Sequence, residues 1–169
     1  MTPDQNSVIT IQRSIKRILQ VFIGGLVISG VTAFPIEWEL GIAYAWIQSC
    51  SCENTLTRWI ELAYTGIRET NLQYPFISYG TDWLAFAHLV IAIVFIGPLR
   101  DPFKNIWVIE FGLIACAAIF PLAFIAGSVR DIPLYWRLLD CSFGLIGGCL
   151  LWICYMKIKQ LEKLSALKK

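Results

Sequence analysis

Four stretches of this chain stay apolar for close to twenty residues each, at 18–36, 80–99, 106–127 and 134–156, with short polar segments between most of them. A helix rises ~1.5 Å per residue, so each stretch matches the ~30 Å hydrocarbon layer of a bilayer. Lipid offers no partner to an exposed backbone N–H or C=O, which makes helix the expected form of every span; the short alternating segments of a barrel do not occur. The expected fold is all-α, one transmembrane domain of 169 residues: an integral membrane four-helix up-and-down bundle with short interfacial helices in the external segment after the first span.

That segment, 37–79, has a different pattern. Residues 36–48, "IEWELGIAYAWIQ", and 55–69, "TLTRWIELAYTGIRE", both read as short helices. In the second, Leu56, Trp59, Ile60, Ala63 and Ile67 form one apolar face, with Arg58, Glu61, Thr65, Arg68 and Glu69 around it. Asn54 stands where an N-cap belongs. Such a helix either lies flat in the interface or closes over a site, and Glu37, Trp59 and Trp83 are candidate lid or rim residues. The other links are short: "GPLRDPFKN" at 97–105 and "GSVRDIP" at 127–133, with prolines suited to turns and to the first turn of a helix. Pro121 removes one backbone hydrogen bond inside the third span and is expected to kink it.

Composition agrees with a membrane location. The chain is 57% hydrophobic and 15% charged, and its net charge of +2 gives no basic surface for nucleic acid. Arg13, Lys16, Arg17, Arg100, Lys104, Lys157, Lys159, Lys163, Lys168 and Lys169 fall on one side of the spans, against Arg58, Arg68, Arg130 and Arg137 on the other. The positive-inside rule then places both termini in the cytoplasm of a multi-pass plasma-membrane protein, such as one of the bacterial inner membrane. Val31-Thr32-Ala33 has the small residues of a signal-peptide cleavage site, but Pro35 and the continuing apolar run disfavour a cut there. Gly144 and Gly148, and Gly25 with Ser29, are small-residue seams for packing within the chain or against a homodimer or membrane-protein partner.

Charged groups in hydrocarbon cost about 2.5–3.5 kcal/mol on insertion scales, so the few present need a reason. Asp82, Arg137 and Asp140 share the outer level; Arg137 and Asp140, at i and i+3, are expected to pair and to meet Asp82 in a cluster with one negative charge to spare. His88, the only histidine, lies about 9 Å deeper than Asp82 and about 240° around the helix, with no evident partner on its own helix. Asp82, His88, Arg137 and Asp140 are therefore the candidate ligand-binding residues. Glu110 is shallow enough to reach water or Lys104, and Glu37 and Glu39, two apart, face different sides of a helix. Cys50 and Cys52 form a C-x-C pair without a thioredoxin-like context, open to reading as a strained local disulfide, a redox pair or a metal contact, and the other four cysteines fall in spans as small apolar packers. No metal site and no cofactor motif is recognisable, and a single histidine excludes bis-histidine haem ligation.

The order of elements, four spans with cytoplasmic termini and a longer external segment after the first, resembles the EXPERA group of sterol-related isomerases and binding proteins. The resemblance is one of outline and carries no site residue across. It implies an enzyme acting on a lipid, isoprenoid or sterol-like substrate by proton transfer. The residues themselves point first to a protein that binds a lipophilic small molecule or lipid in an outward-facing polar pocket. A structural subunit of a larger membrane complex is the third expectation.

Overall fold

The computed structural model describes residues 3–50 and 54–166, with side chains from Asn6 onward. It is all-helical, with no strand among the described residues. The elements are α1 (Pro3–Ala33), α2 (Ile36–Cys50), α3 (Thr55–Gln73), a 3-10 turn (Pro75–Ile77), α4 (Tyr79–Val94), the short α5 (Ile96–Arg100), α6 (Ile106–Val129) and α7 (Leu134–Ala166). Four segments are long and apolar enough to cross a membrane: Asn6–Ala33, Pro75–Arg100, Ile106–Val129 and Leu134–Ala166. Cys52 of the C-x-C pair, and Lys168 and Lys169, lie outside the described residues.

Two compact units form, Met1–Gly25 with Ala92–Lys169, and Leu26–Ile91. In the first, α6 and α7 pack along each other where side chains are smallest. A Cβ on Gly144 would fall 2.7 Å from the Cys116 carbonyl oxygen, whereas one on Gly148 would sit 3.6 Å from the Cys116 Cβ. Both glycines of the fourth-span seam thus face α6 within the chain. Gly112 fits against Leu151 and Phe95, and the Phe22 and Phe95 rings meet at 4.7 Å. Ile15, Leu19, Ile109, Leu151 and Ile158 are fully buried in this unit. Helix α7 has 33 residues, so it extends about 50 Å, beyond a hydrocarbon layer, and Lys159 pairs with Glu162 at 3.0 Å in its last turns.

The second unit is held by few contacts. In α1 the close approach falls at Gly30, where a Cβ would lie 2.9 Å from the Ala85 carbonyl oxygen of α4; Gly25 has nothing within 4 Å. Helices α2 and α3 meet through Gly41, which leaves room for the Tyr64 ring, and through the Tyr44 and Tyr64 rings, stacked at 5.0 Å. Asn54 caps α3 as its position suggests: its side chain accepts the Thr57 N–H and the Thr57 hydroxyl oxygen accepts the Asn54 N–H, both at 2.9 Å. Large apolar side chains, including Trp38 at 67% and Trp83 at 57%, are exposed.

Candidate functional site

Helices α2, α3 and α4 of the Leu26–Ile91 unit, with the turn before α2 and Ser78 before α4, line one cavity of about 640 Å³. Phe34, Ile36, Trp38, Ile42 and Ala45 supply apolar wall from the α1–α2 turn and the first two-thirds of α2. Tyr64 and Asn71 come from α3, Ser78 from the turn before α4, and Thr81 and Asp82 from the first turn of α4. Glu37 joins them from the first turn of α2.

The polar wall is organised in one direction. Ser78 Oγ donates to Asn71 Oδ1, and Asn71 Nδ2 donates to Glu37 Oε2 at 2.5 Å. This chain ties three segments together and ends on a carboxylate. The helical geometry that separates Glu37 from Glu39 is realised: Glu37 is half-buried on the cavity and Glu39 is exposed. Asp82 is half-buried on the same cavity, and no side-chain hydrogen bond or ion pair joins it among the described residues. Two carboxylates therefore face one space whose lining includes no lysine, arginine or histidine. An open pocket with two carboxylates on an aromatic and aliphatic wall favours a molecule that brings hydrogen-bond donors or positive charge on an apolar body.

Trp83 lines a smaller adjoining cavity of about 220 Å³ with Phe34, Tyr79, Phe86 and Asp82, and its ring meets that of Phe86 edge-on at 6.0 Å. Trp59 is half-buried on α3 and lines neither space. His88 Nδ1 lies 2.8 Å from the Leu84 carbonyl oxygen. The expectation that nothing on its own helix can satisfy the imidazole is thereby corrected: one turn back, the Leu84 carbonyl accepts from Nδ1–H.

Arg137 and Asp140 belong to the other unit, and the ion pair expected between them does not form. The aliphatic arm of Arg137 lies over Gly127, where a Cβ would collide with it, and Nη1 donates to Ser128 Oγ at 2.7 Å. Ser128 donates in turn to the Phe124 carbonyl. The guanidinium thus sits at the C-terminal end of α6, where unsatisfied carbonyls make the helix dipole negative. That end is closed by Asp131 at φ 52°, with the Ile132 N–H reaching the Gly127 carbonyl at 2.9 Å. Asp140 is exposed on α7, and Glu110 is exposed on α6 without an ion pair among the described residues.

Sequence reasoning passed over Asn71, Ser78 and Thr81. Each is an ordinary polar residue in a segment already read as external, and the bond from Asn71 to Glu37 spans 34 positions. Glu37, expected at the rim, and Asp82, expected to bind a ligand, are the cavity residues the sequence does point to. Among the described residues no group of three or more histidine, cysteine or acidic side chains is placed to share a metal ion. No protein-family model, no curated protein and no solved structure matches this chain, so the topological resemblance to the EXPERA group stands on outline alone.

Proposed function

We propose that this four-span protein binds a lipophilic molecule with a donor-rich or cationic head in the acidic cavity of the Leu26–Ile91 unit. The observation that carries the reading is the pairing of an organised carboxylate, Glu37, with an unpartnered one, Asp82, on a wall free of basic residues. Burying a carboxylate without a partner is costly, and a ligand ammonium or hydroxyl would supply what the protein withholds. Trp38 adds an aromatic ring that favours a cation. The asymmetry of basic residues supports a cavity open to the non-cytoplasmic side, with both termini in the cytoplasm.

Mass spectrometry of the gently extracted protein tests the proposal. A reproducibly co-purifying apolar compound with an amine or hydroxyl head is the expected result; recovery free of any lipophilic compound, or only with a second membrane protein, contradicts it. A second reading follows from the same lone carboxylate: Asp82 could take a proton from the bound molecule, as an enzyme would use it. Conversion of the co-purified compound by wild-type protein but not by Asp82→Asn distinguishes catalysis from binding.

A further inference from the structure

The other unit contains a second polar cavity, of about 430 Å³, with the opposite charge. Its walls are one face of α1, the end of α5 and the turn that follows α5. On α1, Ile9, Gln12, Arg13 and Lys16 recur at the i, i+3, i+4, i+7 spacing that aligns side chains along a helix. From the end of α5 come Arg100 and the apolar Leu99, and from the turn after it Asp101 and the apolar Phe103.

The acid on this wall is already committed. Asp101 Oδ1 accepts the backbone N–H groups of Phe103 and Lys104, each at 3.1 Å, and Oδ2 lies 3.7 Å from Lys104 Nζ. Asn105 Nδ2 donates to the carbonyls of Gly97 and Asp101 at 3.2 and 2.9 Å, and Pro98 is fully buried, so the turn is fixed by its own bonds. Arg13, Lys16 and Arg100 have no ion pair among the described residues. Three cations without ion pairs thus face a space whose only acid already accepts two backbone N–H groups, at a level set by sequence: Arg13 and Lys16 precede the apolar run of α1, and Arg100 ends the span Pro75–Arg100.

We infer that this cavity binds a phosphate-bearing anion, carried by a lipid headgroup or free in solution. Two guanidinium groups offer the paired N–H donors that suit phosphate oxygens, Lys16 adds a point charge, and Ile9, Leu99 and Phe103 suit the glycerol and upper acyl portion of a lipid. The size fits one headgroup.

The full-length protein in a neutral detergent is titrated with phosphatidylglycerol and with phosphatidylcholine and read by native mass spectrometry; in parallel its melting temperature is followed against inorganic phosphate. Preferential retention of phosphatidylglycerol that falls on the order of tenfold in the double variant Arg13→Gln with Arg100→Gln assigns the lipid source. A phosphate-dependent rise in melting temperature lost in the same variant, without lipid preference, assigns the free anion. The lysine pair Arg13→Lys with Arg100→Lys retains charge and should retain most of the effect, and 0.5 M sodium chloride should abolish it in wild-type protein whether or not the glutamine variant folds. Equal retention of both lipids with no phosphate effect overturns the inference. So does a preference that survives high salt or the glutamine substitutions, or one that Lys163→Gln, outside the cavity lining, reduces equally.

Discussion

Glycines 144 and 148 look interchangeable in the sequence, yet their surroundings predict different outcomes. A Cβ at Gly144 must displace a backbone carbonyl 2.7 Å away, whereas at Gly148 it would make an ordinary 3.6 Å contact. Gly144→Ala should therefore destabilise the protein by about 1–3 kcal/mol, and Gly148→Ala should be near neutral, as thermal unfolding in detergent would show. Which glycine bears the contact depends on the rotation of α6 against α7, which no local pattern specifies. Arg137 teaches the same lesson. Its i+3 acid was legible, but the competing attraction, a slot over Gly127 leading to the carbonyl end of α6, exists only once the helices have packed. Asp131 holds a left-handed conformation at φ 52° that glycine adopts without steric cost, so Asp131→Gly is expected to leave stability unchanged or raise the melting temperature slightly.

The elements themselves were largely readable. The periodicity placed a helix at 36–48 and another at 55–69, and helices run over Ile36–Cys50 and Thr55–Gln73. Asn54 could be read as a cap because capping is a local bond between residues three apart. Asn54→Ala should cost about 1 kcal/mol, seen as faster amide exchange in the first turn of α3 with the four long apolar helices unaffected. Helix α3 has no fully buried residue, so its order rests on the cap, on α2 and on whatever covers its apolar face, and local opening is expected there before the α6–α7 pair opens. The candidate site was less legible for a related reason. Glu37 and Asp82 stood out as acids beside apolar runs, whereas the bond that joins Glu37 to Asn71 closes a long loop and leaves no trace in the spacing of either.

At the scale of the whole molecule, the apolar runs, the basic asymmetry and the two charged cavities describe one chain with an acidic chamber in one unit and a basic one in the other. The orientation we propose is checked by reporter fusions: one active only outside the cytoplasm should be active within 37–79 and silent after Lys169. The central claim is that Glu37 and Asp82 hold a ligand and do not merely hold the fold. Its most direct test compares wild-type protein with Asp82→Asn and Glu37→Gln, each purified identically, for bound lipophilic mass and melting temperature. Because Asp82 has no partner within the described residues, Asp82→Asn should lose the bound compound by tenfold or more, about 1.4 kcal/mol of binding, and keep its ligand-free melting temperature. An Asp82→Asn protein that carries the same compound in the same amount as wild type would contradict the account.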